Sequence, residues 1–285
     1  MHHEVKKLIS KEALGIEIGA SYNPILPKKE GYNVRIVDHC ATSELVEKYS
    51  AMNVDTSSIE PVDYVFNGSL SNVPMQGKLD YIVASNVVEH VPDLIDFFTQ
   101  CSNLLNPEGE LHLVVPDSRY CFDYFRQISG ISQIIESHGN TNTTLGKISD
   151  VVLNTSKNGN ELAWRKGTGA SLSLVNSTEL ALKDLENYTA KLRSEYVDVH
   201  NWVFTPHSFR LIVNDLRLLG FSKLSESKFI STQGFEFIVV LSVDESRPFV
   251  ERLEYLKQIK KESAATEYDY NKRGFLSTIK ALFAS

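Results

Sequence analysis

Leu14-Gly15-Ile16-Glu17-Ile18-Gly19-Ala20-Ser21, followed after a turn-rich stretch by Val34-Arg35-Ile36-Val37-Asp38, decides the fold of this chain. The first run is short and apolar and ends in small residues, the pattern of a buried parallel strand entering a tight loop. Small residues there let a ligand approach the main chain closely. The second run ends in one carboxylate, Asp38, about 20 residues past the loop, where an acid can take both hydroxyls of a ribose. The unit predicts a nucleoside-containing ligand across the carboxyl edge of a parallel sheet.

The glycine signal is sparse. Of a three-glycine dinucleotide fingerprint only Gly19 is present, and Pro24 and Pro27 argue against a long helix packed behind the loop. A nicotinamide dehydrogenase is therefore disfavoured.

The chain has 285 residues, enough for one large domain or two small ones, and its 42% hydrophobic and 23% charged content fits a globular protein. A formal charge of −7 argues against a nucleic-acid partner, which would need basic patches. No apolar run approaches the roughly 18 residues of a membrane span. Met1 to Lys7 carries charge without an apolar segment, so no secretory signal is expected, and His2 and His3 read as a solvated terminus. Cys40, Cys101 and Cys121 are odd in number and widely spaced, as reduced thiols in a cytoplasmic protein would be.

Along the chain, Ser43–Met52 has helical spacing, Val62–Phe66 and Leu79–Ser85 read as strands, and Leu94 to Leu105 is an amphipathic helix stopped by Pro107-Glu108-Gly109. Glu110–Val115 is a fifth strand. Alternation of this kind predicts an α/β, doubly wound sheet. From Ser118 the pattern changes: helices over Cys121–Ile135 and Ser177–Tyr196 flank a Gly, Asn, Ser and Thr-rich middle from Gly139 to Gly169, read as a partly mobile lid. A helix from Thr205 to Leu219 follows. Ser222–Ile230 and Phe235–Val243, four residues apart, predict an antiparallel hairpin. The tail carries two helical stripes, Phe249-Leu253-Leu256-Ile259 and Phe275-Ile279-Leu282-Phe283, the second flanked by Lys272, Arg273 and Lys280. A basic amphipathic helix suits an anionic membrane surface; packing on the domain or a dimer partner is the favoured alternative.

These residues resemble a class I S-adenosylmethionine-dependent methyltransferase. Glu17-Ile18-Gly19 is similar to its first motif, Asp38 to its ribose acid, Ser69 to Pro74 to its adenine-side loop, and Ala84 to Asp93 to the segment after its fourth strand. A narrower likeness lies in Gly15 to Pro24, Val115 to Asp123 and His200 to Pro206, which resemble bacterial methyltransferases associated with surface-polysaccharide glycosyltransferases. The resemblance implies a Rossmann-like seven-stranded sheet, five parallel strands plus the C-terminal hairpin. Residues 1–117 would form the cofactor-binding core, 118–199 an inserted helical lid, 200–244 the return of the core and 245–285 a helical tail.

It also implies S-adenosylmethionine as cofactor, held by Glu17, Gly19, Ala20, Ser21, Asp38, His39, Ser69, Leu70, Ser85 and Asn86. Glu17 has an equal alternative as a buried carboxylate bonded to backbone donors. A sugar hydroxyl of a glycan intermediate is the expected acceptor, and as a weak acid it benefits from a general base. His200 and His90 are the leading candidates, with Asp117 a further acid at the fifth strand's tip. Arg119, Asp123, Arg126 and His138 are candidate acceptor contacts; the arginines would suit an anionic sugar, with a salt-bridged surface helix the slightly favoured alternative. Asp117, Asp123 and His200 could alternatively hold a divalent ion, but no tight ligand spacing supports that, and no metal is expected. A small-metabolite methyltransferase and a non-catalytic scaffold serving a glycosyltransferase stay open. So do a peripheral membrane contact, a glycosyltransferase contact through the tail, and a homodimer.

Overall fold

The computed structural model describes residues 1–66, 68–168, 171–192, 194–244 and 246–264. In order these form α1 (His2–Lys6), β1 (Gly15–Ile18), β2 (Val34–Asp38), α2 (Thr42–Ala51), β3 (Tyr64–Val65), β4 (Leu79–Ser85), α3 (Leu94–Leu104) and β5 (Leu105–Pro116). There follow α4 (Ile131–Glu136), α5 (Leu145–Asn154), β6 (Ser156–Asn158), β7 (Leu172–Leu174), α6 (Thr178–Lys191), α7 (Pro206–Leu218), β8 (Leu224–Gln233) and β9 (Glu236–Val243).

Seven strands form one sheet in the order β3-β2-β1-β4-β5-β9-β8. The first five run parallel, and β9 pairs antiparallel with both β5 and β8. This is the expected Rossmann-like sheet closed by a hairpin. Period-two alternation divides its side chains between two cores. Ile16, Ile18, Ile82, Ala84, Leu113 and Val115 meet α3 and α7 on one face; Val34, Ile36, Val83, Val114, Ile238 and Val240 meet Val5, Ile9, Ile25 and Leu26 on the other.

Several boundaries differ from the sequence reading. The N-terminus is not merely solvated: α1 and the turn after it bury Val5 and Ile9 against the second face. Pro107-Glu108-Gly109 lies inside β5 as an irregularity, with pairing to β4 shifting between Leu79 and Tyr81. Gly109 is required there, since an added Cβ would stand 2.5 Å from the Leu79 carbonyl. The middle of the insertion carries regular structure among its described residues. It holds α5 and the β6–β7 hairpin, and α5 packs through Ile148 and Val152 onto Ala181, Val197 and Val199 as a small core of its own. The predicted helix at Cys121–Ile135 shrinks to α4, because residues 118–126 turn tightly to bury Asp117, Asp123 and Arg126.

The start of the tail is helical over 252–264. Its docked side is Arg252, Tyr255 and Glu262 rather than the predicted stripe: Arg252 pairs with Asp215 of α7 at 2.7 Å, while Phe249, Leu253 and Leu256 are exposed. The second stripe and its lysines lie outside the described residues. Among the described residues no helix is long and apolar enough to cross a membrane.

Candidate active site

Strand order reverses between β1 and β4, so the crevice beyond their carboxyl ends is where such a sheet opens for a ligand. Three left-handed residues lie at that edge: Gly19 (φ +69°), Ser21 (φ +48°) and Asn86 (φ +52°). Strain of this kind at non-glycine positions collects at ligand-facing turns. A Cβ on Gly19 would stand 2.8 Å from Cγ2 of Val87, so the glycine lets the first loop close against the exit of β4.

Two buried carboxylates shape this loop. Glu17 accepts from the N–H groups of Ile25 at 2.6 Å and Leu26 at 2.9 Å, which pins the chain after the loop. Burial pushes its carboxyl up to about 7 against the downward pull of those donors. Of its two sequence readings, the structure displays the backbone-bonded carboxylate. Asp38 accepts from the Ser21 N–H through Oδ2 and the His39 N–H through Oδ1, each at 2.8 Å, and Nδ1 of His39 stands 2.7 Å from Oδ1. The loop and the ribose-acid position are thus one bonded unit. Ala20 is buried in the second core. Ser69 bonds the Ser71 hydroxyl at 2.9 Å, and Leu70 packs into the first core. Asn86 donates to Oε1 of Glu236 at 2.8 Å and to the Ser85 hydroxyl at 3.3 Å, so its amide ties β4 to β9.

The two leading histidines meet directly beyond this edge. His90 and His200 stack edge to face with ring centroids 4.6 Å apart, and Phe122 packs 4.5 Å from the His200 ring. Nδ1 of His90 is 2.8 Å from Asp198, and Nδ1 of His200 is 2.5 Å from Asp123. The Nε2 atoms of both histidines lie 3.9 Å from Oε1 of Glu89. Glu89 is fully buried, and neither of its oxygens has a hydrogen-bond partner among the described residues. Burial raises its proton affinity while the two imidazoles oppose that. For His90, burial acts downward, but the bond to Asp198 and the Glu89 charge outweigh it and raise its proton affinity. Asp123 goes the other way: burial is outweighed by His200 and Arg126, which hold it below the usual carboxylate range.

The chain holds this pair rigidly. Residue 200 is joined to residue 90 across more than a hundred positions because the Glu89 carbonyl accepts from the N–H groups of Asn201 at 2.7 Å and Trp202 at 3.1 Å. The Asn201 side chain reaches the His90 carbonyl at 2.6 Å, and Trp202 Nε1 reaches the Val91 carbonyl at 2.7 Å. Arg126, itself buried, binds Asp123 at 2.7 Å, Asp150 at 2.7 Å and the His200 carbonyl at 3.0 Å.

Other expected residues are committed elsewhere. Asp117, fully buried, accepts from Arg119 Nε at 2.8 Å and from Thr232 at 2.6 Å, fastening the tip of β5 to the end of β8. It is an ion-paired strut instead of a free acid. Arg119 and Arg126 are likewise paired with carboxylates. Asp123 orients His200 and Arg126. His138 sits on Asp93 at 2.9 Å, at the start of α3, on a carboxylate that neither His90 nor His200 uses. Sequence reasoning missed Glu89, Asp198 and Asp150. The adjacency of Glu89 and His90 at the exit of β4 was a usable signal for the first; the other two depend on long-range folding.

A family model described as a methyltransferase domain matches residues 17–216. A search of curated proteins returns no match. Among solved structures, a SAM dependent methyltransferase from Aquifex aeolicus is similar at 10% identity over 85% of this chain and 89% of that one, with a TM-score of 0.41. The CcbJ methyltransferase from Streptomyces caelestis is similar at 13% identity over 85% and 93%, with a TM-score of 0.45.

Proposed function

Since the chain belongs to the methyltransferase-domain family and takes S-adenosylmethionine as its methyl donor, we propose that it methylates a hydroxyl of a neutral sugar within a glycan. The observation that carries the hydroxyl is the centre made by Glu89, His90 and His200 at the exit of β4. An amine or thiolate acceptor is already nucleophilic, whereas a hydroxyl gains from a group that removes or holds its proton. Both Nδ1 atoms are occupied by carboxylates, so the Nε2 atoms are the ones this centre can offer, either to a proton or to a ligand that ionises the hydroxyl. The glycan rests on the likeness of Gly15 to Pro24, Val115 to Asp123 and His200 to Pro206 to polysaccharide-associated methyltransferases. The pairing of Arg119 and Arg126 with Asp117, Asp123 and Asp150 supports a neutral rather than an anionic sugar.

In this reading the loop from Gly19 to Ser21 and the backbone at Ser85 and Asn86 face the amino-acid end of the cofactor. Asp38 faces the ribose with the lone pairs that Ser21 and His39 leave over; His39, whose ring is half exposed, swings aside to admit the hydroxyls. Ser69 marks the adenine end. Transfer is an in-line displacement, so the protein's task is to hold the acceptor oxygen about 3–3.5 Å from the methyl carbon.

The test is transfer of labelled methyl from S-adenosylmethionine to a panel of neutral saccharides, charged saccharides and small metabolites. Ether-linked label in the neutral saccharides is the expected result. Label only in small metabolites, or in none while the cofactor binds, would overturn the glycan assignment.

A further inference from the structure

We propose that Glu89, His90 and His200 bind one divalent first-row transition-metal ion, and that this ion holds and ionises the acceptor hydroxyl. The role of the ion rests on the methyl-transfer reading above; the existence of the site does not.

The donor set is two imidazole nitrogens and one carboxylate oxygen, all within 4.8 Å of one another. Around an ion held at about 2.1 Å by each donor, neighbouring donors stand about 3.0–3.4 Å apart, so modest contraction completes the site. Each imidazole is already set as a ligand. A carboxylate only accepts, so Asp198 and Asp123 fix the ring proton on Nδ1 and leave the Nε2 lone pair towards Glu89. A carboxylate behind each ligating histidine is the arrangement that orients metal ligands elsewhere in proteins.

Glu89 supplies the second, independent observation. It is fully buried, and neither oxygen meets a donor among the described residues. A buried carboxylate without hydrogen bonds is costly, and a cation between it and two lone-pair nitrogens removes that cost. The surroundings agree in charge. Asp123, Asp198 and Asp150 stand around the pair, with Arg126 as the cation bonded to Asp123 and Asp150. Two imidazoles and one carboxylate favour manganese, iron, cobalt, nickel or zinc over magnesium or calcium, and such a triad leaves coordination positions open for substrate.

With the ion bound, the acceptor oxygen takes an open position and its proton leaves to solvent water. The oxygen anion attacks the methyl carbon, forming the C–O bond. The C–S bond breaks with its electron pair staying on sulfur, and the sulfonium becomes a neutral thioether. Nε2 of each histidine is then a ligand and takes no proton.

The test is titration of the chelator-stripped full chain with Co2+, followed by visible absorption. One ion per chain is expected, with a ligand-field band. Glu89→Gln and His200→Gln should each weaken binding by more than 100-fold, and Asp198→Asn, which acts only through His90, by about 10–100-fold. Should a glutamine variant fail to fold by circular dichroism, Asp198→Asn and the wild-type stoichiometry carry the decision. No saturable binding by the wild type overturns the proposal. So does binding unchanged in the variants, which would place the ion elsewhere, His2 and His3 included. S-adenosylhomocysteine is titrated in parallel. Homocysteine-analogue binding without Co2+ binding overturns the ion site and leaves the methyltransferase reading intact. Co2+ binding without it overturns the reading of the crevice and leaves the site.

Discussion

Nδ1 of His200 lies 2.5 Å from Oδ2 of Asp123, a residue 77 positions earlier and also buried. The contact fixes which nitrogen of the imidazole is free, and it joins the inserted segment to the chain that returns to the core. Asp123→Asn keeps the shape but presents an amide that can hold the wrong tautomer, and it leaves Arg126 with Asp150 as its remaining acidic partner. Methyl transfer should fall by about 10–100-fold while affinity for S-adenosylhomocysteine stays within twofold. Steady-state transfer beside calorimetry reads both; equal loss of both would place Asp123 in general folding.

Gly19 tests the first loop. Gly19→Ala adds a Cβ 2.8 Å from Val87 Cγ2 at a φ of +69°, and a left-handed alanine costs about 1–2 kcal/mol. S-adenosylhomocysteine affinity should drop about tenfold or more. An unchanged dissociation constant would remove the loop from the cofactor site.

Asp117 separates strut from catalyst. Removing one member of a buried ion pair leaves the other uncompensated, so Asp117→Asn should cost about 3 kcal/mol of stability. Urea denaturation reads the loss. Cofactor affinity should not change, and a variant of wild-type stability with no methyl transfer would restore Asp117 as a catalytic acid.

Glu17 gives the protein a pH dependence of stability. Its carboxyl is raised by burial from 4.5 to about 7 in the folded chain, so folded protein holds that proton more tightly than unfolded protein. Its stabilisation is complete below pH 4.5 and is lost as pH rises through 7, by about 3 kcal/mol in all. Urea midpoints between pH 5 and 8 should therefore fall less steeply in Glu17→Gln than in the wild type. Parallel slopes would show that the carboxyl is ionised throughout.

Much of the fold was legible because its strands announce themselves locally. Leu79–Ser85 is bounded by Gly77 and Asn86, and the observed β4 has those limits; the turn formers Ser231 to Gly234 announced the β8–β9 hairpin, although β8 runs on to Gln233 and the turn is only Gly234-Phe235. The insertion was harder. Residues 139–169 are rich in turn formers, and α5 exists because Ile148 and Val152 find Ala181, Val197 and Val199, a contact no local pattern encodes. In the site, residue types were readable and partnerships were not. Arg119 and Arg126 read as anion binders or as salt-bridged surface residues, and only the fold supplied Asp117, Asp123 and Asp150 as their partners; Asp38 read as an open acid, and the fold brought Ser21 and His39 onto it. His90 and His200 were each singled out as a base; their shared Glu89 became visible only when β4 and the returning segment were bonded together.

The most direct measurement is calorimetric titration of the full chain with S-adenosylhomocysteine, with Gly19→Ala alongside. Saturable micromolar binding at one site per chain, weakened in the variant, is the expected result. Absence of any binding by the folded wild-type protein would contradict it.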